Sequence, residues 1–358
     1  MRAGKWFLSI ALIAVLVAQL AACAAQSGAS SKTSSSSTKK DPITGEYYPK
    51  SINVGVIEGG PESAILVKEN YFKGIDAKVK VSNYASGADI NKAVISKKVD
   101  LSSSGSYPIA LGIANTIDYK AIFVPYIEGG NIEALVVKKN ENIKKVADLK
   151  GKKIATPFGT TSHYALLNTL KQAGLSGKDA TIVDMAGQDI VAAWSRNDID
   201  AAYIWSPALD KNVANGGEII ANDGDLIKKG VTIPEIAVAR TAFAAKYPTL
   251  VSQYVKALVK VYDLTQKNPK KATQDIADWE GVTTKNAESQ INDNIWVSPE
   301  DQTTDNYFGG KNGNGQLAKT LKTIAKFHKQ QGDLSYTPGL STFEKAINTS
   351  YLKRALKK

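Results

Sequence analysis

The chain has 358 residues, 43% of them hydrophobic, with 45 Lys and Arg against 34 Asp and Glu and a formal charge of +11. A single cysteine excludes an internal disulfide, and two histidines with no Cys or His cluster give no metal-ligand pattern. Lysines such as Lys144, Lys145, Lys150, Lys152, Lys153, Lys357 and Lys358 are scattered without interleaved aromatics, which argues against a nucleic-acid surface and for solvated surface or attraction to an anionic envelope or ligand. At the N-terminus, Arg2 and Lys5 precede an apolar run from Trp6 to about Val17. A charged start followed by so short an apolar stretch predicts a secretory signal, since a bilayer span needs ~20 residues.

Leu20-Ala21-Ala22-Cys23 resembles the lipobox of bacterial lipoproteins, which implies a signal peptide over 1–22 and a lipidated Cys23 as the first residue of an anchored, exported chain. The following AAQSGASSKTSSSSTKKDP is rich in Ser, Ala and Lys and lacks apolar periodicity, so residues 23–48 are expected to be the lipidated cysteine and a flexible tether.

From residue 49 onward, short β-rich runs alternate with helical patterns, the signature of α/β layers. Strands are expected near Ile52–Val56, Ala77–Val81 and Leu101. Helices follow over Glu62–Asn70, Gly87–Ser96 and Tyr107–Asn115, the last tolerating Pro108 in its first turn. The middle segment repeats the scheme. Strands are expected at Ala134–Val137, Ile154–Ala155, Thr181–Asp184, Ala201–Ile204 and Glu218–Ala221, with helices over about His163–Ala173 and Gln188–Ser195. The chain returns through one more strand over Ile236–Ala239, after which the pattern is mostly helical. Leu250, Tyr254, Leu258 and Tyr262 recur at helical spacing and read as core. Two lobes are therefore expected, one from 49–133 with 240–358 and the other from 134–239, with crossings near Glu133-Ala134 and Glu235-Ile236 and a cleft between them.

Thr160-Thr161-Ser162 at a helix start offers hydroxyls, unpaired backbone N–H groups and the positive end of the helix dipole, a fit for an anion with several acceptor oxygens. An ordinary helix N-cap accounts for the same residues. His163 is a further candidate donor, and Ser86-Gly87 and Ser104–Ser106 could complete a donor set from the first lobe. Catalysis finds little support: there is no free thiol beyond Cys23, no phosphate loop of the GxxxxGK[ST] type, and no acid/base pair apart from His163 beside Thr160–Ser162.

The stretches SGSYP (104–108), EALVV (133–137), DLKGKKIATPFGTTSHYALL (148–167) and AAWSRNDIDAAYIWSPAL (192–209) resemble the taurine-binding members of the nitrate/sulfonate/taurine solute-binding proteins of ABC importers. The resemblance covers roughly residues 50–265. It implies a two-lobed, type II periplasmic-binding-protein-like fold and no cofactor. It also implies a small-molecule sulfonate ligand, partners in permease subunits with a cytoplasmic ATPase, and a monomer. By the same resemblance Thr160, Thr161 and Ser162 would meet a sulfonate, with His163, Ser86, Gly87 and Ser106 as the further donors that their own chemistry offers. Glu235 stands where these proteins place an aspartate for the amine, Glu133 matches a family Glu, and Trp205 matches a pocket tryptophan. Glu58 is an acid where the family commonly has a neutral polar residue, and Tyr107 replaces a usually small residue. Trp194, Asp198 and Asp200 are expected to be structural.

Overall fold

The computed structural model describes residues 38–139, 142–309 and 315–357, so the signal segment and Cys23 lie outside it. Twelve strands in chain order lie at Ser51–Ile57 (β1), Lys78–Tyr84 (β2), Leu101–Gly105 (β3), Tyr119–Phe123 (β4), Tyr126–Ile127 (β5), Glu133–Lys138 (β6), Lys153–Thr156 (β7), Thr181–Asp184 (β8), Ala201–Trp205 (β9), Gly217–Asn222 (β10), Glu235–Arg240 (β11) and Ile295–Trp296 (β12). They form two five-stranded sheets, β2-β1-β3-β11-β4 and β10-β6-β9-β7-β8, and a short β5-β12 ribbon. The central strands β3 and β6 are buried along their whole length, because helices cover both faces of each sheet. The edge strand β2, KVKVSNY, is largely exposed and carries lysines that blunt its unpaired edge.

Within each sheet most strands run parallel, but β11 is antiparallel to β3 and β4, and β6 is antiparallel to β9. An antiparallel strand starts at the sheet edge where its neighbours end. Glu235, first in β11, consequently lies opposite Gly105, last in β3, and Glu133, first in β6, lies opposite Trp205, last in β9. The reversal puts two acids on the carboxyl edges that face ligands in such sheets.

The chain leaves the first sheet after β4 and returns to it at β11. Residues 124–132 and the segment ending at Pro234 therefore make the crossings, upstream of the expected positions. They pair with each other: Ile127 bridges Pro234, and the Glu128 N–H donates to the Ile233 carbonyl at 2.9 Å. Because β11 hydrogen-bonds within the first sheet, residues 235–239 belong to the first lobe and not, as expected, to the second. Apolar periodicity locates a strand but is silent on which sheet it joins.

The expected tether also needs correction at its end. Asp41 is fully buried; its carboxylate accepts from the Thr249 N–H at 2.9 Å and the Ile43 N–H at 2.9 Å. Tyr48 is 1% exposed, so residues 41–48 are fastened to the helix Pro248–Lys267. That helix buries Leu250, Tyr254 and Leu258 as anticipated. The helical C-terminal region packs on the first lobe, and no described helix is long and apolar enough to cross a membrane.

Candidate functional site

A cavity lies between the lobes where the strand ends converge. It is lined by Ile57, Gly59, Gly60, Gly87, Gly105 and Pro108 of the first lobe, by Glu133, Thr160, Thr161 and Trp205 of the second, by Glu235, and by Tyr126, Glu128 and Ile132 of the crossing segment. Its volume is about 50 Å³, the scale of a small ligand's site and not of a macromolecular groove.

The lobes touch around this cavity. The Trp205 indole N–H donates to the Glu58 carbonyl at 3.1 Å. Gly105 meets Thr161 so closely that a Cβ would collide with its methyl group, and Gly59, at φ +85°, fits where a side chain would strike Trp205 and the Ser206 carbonyl. Only glycine allows the two backbones this approach.

Of the expected anion-binding residues, Thr160, Thr161 and Gly87 reach the cavity. Thr160 caps the helix Thr161–Gln172: its hydroxyl donates to the Pro157 carbonyl at 2.6 Å and accepts from the His163 N–H at 3.4 Å. Thr161 Oγ1 donates to Glu133 Oε1 at 2.6 Å. Both hydroxyls are therefore engaged, and the first-turn backbone N–H groups, which by position lack an intrahelical acceptor, are the donors left for an anion. The helices Gly87–Ile95 and Ser106–Ala114 start at the same place.

The remaining expectations on this side do not meet at the cavity. Ser86 turns inward to its own helix, accepting from the Asp89 N–H at 3.3 Å. Ser106 and Ser162 are fully buried behind the lining, and His163 stacks on Phe158 at 4.4 Å, with burial lowering its imidazole pKa. The Glu58 side chain is exposed and faces an outer groove. Ser86, Ser106 and Glu58 each follow or precede a lining residue, and helical or extended geometry turns neighbours away from one another.

Sequence reasoning identified Glu133, Glu235 and Trp205, all of which line the cavity, and missed Glu128. Glu128, Glu133 and Glu235 are 5%, 3% and 6% exposed, and among the described residues no Lys, Arg or His lines the cavity with them. Behind them lie Asp223, which accepts from the Tyr203 hydroxyl at 2.8 Å, and Glu62, which accepts from Ser63 at 2.9 Å. Carboxylate oxygens of Glu128, Glu133 and Asp223 fall within 4.8 Å of one another, a grouping of acids that the sequence spacing did not reveal.

Burial pushes the carboxyls of Glu128 and Glu235 well above the usual range, and neighbouring acids push further. Glu133 is pushed up to about 7 by burial, against the pull of the Thr161 and Ser162 hydroxyls. A chain with a net charge of +11 has thus built a cavity whose charged groups are all acids. Chemically, the site offers helix N-termini to an anion and carboxylates to a cation.

Beside the cavity, aromatic rings join the lobes. Tyr107 of the first lobe stacks on His328 at 3.6 Å and on Tyr164 of the second lobe at 5.1 Å, while Phe327 meets Tyr164 edge-on at 5.0 Å. The Tyr107 hydroxyl donates to Asp333 at 3.1 Å, so this residue points away from the cavity. Trp194 is buried core, and Asp200 accepts from the Lys153 N–H at 2.7 Å, structural roles as expected.

Comparison with known proteins places this geometry. Residues 66–272 match the family model described as NMT1/THI5 like. The taurine-binding periplasmic protein of Escherichia coli (strain K12) is 30% identical over 296 residues, covering 80% of this chain and 89% of that protein. The alkanesulfonate-binding protein SsuA from Xanthomonas axonopodis pv. citri, solved bound to MOPS, superposes with a TM-score of 0.68 at 19% identity over 84% of this chain and 99% of that one. The periplasmic aliphatic sulphonate binding protein SsuA of Escherichia coli superposes at 0.63 with 20% identity, covering 82% and 91%. At these identities the two structures establish the fold.

Proposed function

The chain belongs to the NMT1/THI5-like family, and from that premise we propose that it is the extracytoplasmic binding component of an ABC importer, capturing taurine or a related small aminosulfonate between its lobes. The observation that carries this reading is a small interlobe cavity in which the helix starts at Gly87, Gly105 and Thr160-Thr161 face the acids Glu133 and Glu235 beside Trp205. The helix starts supply directed N–H donors and partial positive charge for a sulfonate, and the acids neutralise an ammonium. A plain alkanesulfonate would bring only negative charge to a cavity already lined by carboxylates, so the acids favour a zwitterion.

The delivery mechanism follows from two lobes that both touch the ligand. A ligand bound on both sides stabilises the closed arrangement over the open one, and permease subunits driven by a cytoplasmic ATPase would read the closed surface. Cys23 as a lipid anchor and a monomeric state complete the proposal. Mass spectrometry of the exported chain tests the anchor, which requires a diacylated Cys23 at the N-terminus.

Calorimetric titration with taurine, ethanesulfonate, sulfate and nitrate tests the ligand. Taurine is expected to bind most tightly. Glu235→Gln is expected to weaken taurine by about 30-fold or more, the scale of a truncated buried charge pair, while leaving ethanesulfonate within about twofold. Absence of binding by any sulfonate overturns the reading; equal losses for both sulfonates make Glu235 a structural residue of the crossing.

A further inference from the structure

Glu128 sits in the first crossing segment, between β5 and β6. Its backbone N–H makes the hydrogen bond that holds the two crossings together, so its side chain is not needed for that contact. The carboxylate lines the cavity, is 95% buried by residue, and its Oε2 has no hydrogen-bond partner. The titratable groups around it are Glu133 of β6, Asp223 of the helix Asp223–Ile227, Glu235 of β11, and, through Tyr126, Glu62 of the helix Pro61–Lys68. Asp293 approaches the same loop from the other side, accepting from the Asn131 N–H at 3.2 Å. None of these groups can supply a positive charge. A buried carboxyl that has one oxygen without a partner and only acids around it is costly to ionise unless a cation completes it.

We infer that Glu128 is a ligand-binding residue that joins Glu133 and Glu235 in a three-carboxylate cage for a primary ammonium, making it the specificity residue for the cationic end of the ligand; this rests on the binding reading above. The three acids enter from a crossing segment, from β6 and from β11, and so approach from different sides. A primary ammonium has three N–H donors, one for each. A trimethylated ammonium has none, and its three methyl groups would stand between the nitrogen and the carboxylates. The ligand class is therefore a short primary aminosulfonate, and the cage discriminates by donor count as well as by charge.

Calorimetric titration of the full chain and of Glu128→Gln with taurine, N,N,N-trimethyltaurine and ethanesulfonate tests the assignment. The wild-type protein is expected to bind trimethyltaurine at least about 30-fold more weakly than taurine. Glu128→Gln is expected to lower taurine affinity by about tenfold or more while ethanesulfonate binding holds within about twofold, because ethanesulfonate has no ammonium for the carboxylate to meet. Glu128→Asp, which keeps the charge, should retain a taurine-to-ethanesulfonate ratio nearer the wild type, and it carries the test if the glutamine variant folds poorly. The assignment is overturned if Glu128→Gln leaves taurine unchanged, if it weakens both sulfonates equally, or if trimethyltaurine binds as well as taurine. It is also overturned if the variant loses only binding of added Ca²⁺, which would make the acids a metal site. A wild-type protein that binds no sulfonate overturns the parent reading and this one with it.

Discussion

Asp100 and Arg240 form a pair 2.6 Å apart with side chains 9% and 19% exposed, and Asp100 also accepts from the Asn53 N–H at 2.9 Å. One carboxylate thus ties β1, the start of β3 and the end of β11. Removing it leaves a guanidinium poorly solvated and an amide unpaired, so Asp100→Ala should destabilise the protein by about 3 kcal/mol, read from denaturant unfolding. At this same scale the sequence was informative where chemistry and position agree. Glu133, Glu235, Trp205, Gly87 and Thr160-Thr161 were identifiable, and all line the cavity. Glu128 was not, because an acid before Gly129-Gly130 reads as a solvated turn. Only the pairing of its segment with Ile233 removes it from water. The Thr161 hydroxyl reads as a donor in either setting, yet whether it meets a ligand or Glu133 depends on β6, 28 residues away.

The helix Thr161–Gln172 does two things at once: its start borders the cavity, and Tyr164 one turn later carries the aromatic contact to Tyr107 and Phe327 of the other lobe. Those pairs exist only while the lobes are together, so they favour the closed form. The Tyr107 ring is itself held, by stacking on His328 and by its hydroxyl on Asp333, whose carboxyl the His328 hydrogen bond holds below the usual range. Aromatic pairs of this kind contribute about 0.5–1.5 kcal/mol beyond burial, so Tyr164→Ala should weaken ligand binding by roughly twofold to tenfold with no contact to the ligand lost. Titration of taurine and ethanesulfonate should then find the same factor for both. The sequence marked Tyr107 as a bulky substitution beside the cleft. Its partner His328 lies 221 positions further along the chain, a separation that no local pattern bridges.

At the scale of the whole molecule, Glu128, Glu133 and Glu235 are buried where the lobes meet, with Asp223 and Glu62 behind them. In the ligand-free protein, burial raises Glu128, Glu235, Asp223 and Glu62, and Glu133 is pushed up to about 7. The folded state therefore keeps protons that the unfolded chain releases near the ordinary carboxyl range. Stability from this source is fully present below the unfolded pKa and is lost as pH rises through the folded one. Calorimetry of the ligand-free protein should find Tm falling by about 2 °C or more between pH 5.5 and pH 8. Saturating taurine should reduce that slope, because an ammonium lowers the carboxyl pKa values toward those of the unfolded chain.

By itself the sequence determined the α/β layering, the two lobes and the helical C-terminal region, because apolar period and turn residues act over a few residues at a time. It also marked the acid at the head of β6 and of β11. Tertiary structure alone decided which sheet β11 joins, that residues 41–48 are fastened to the first lobe, and that Glu128 and Asp223 come together with the acids at those strand ends. These outcomes depend on contacts between segments far apart in the chain, whose energies come from shared burial and pairing that neither segment expresses alone. The acidic character of the cavity in a basic protein is the plainest consequence: net charge is a sum over residues, while a site's charge is set by which of them the fold takes out of water.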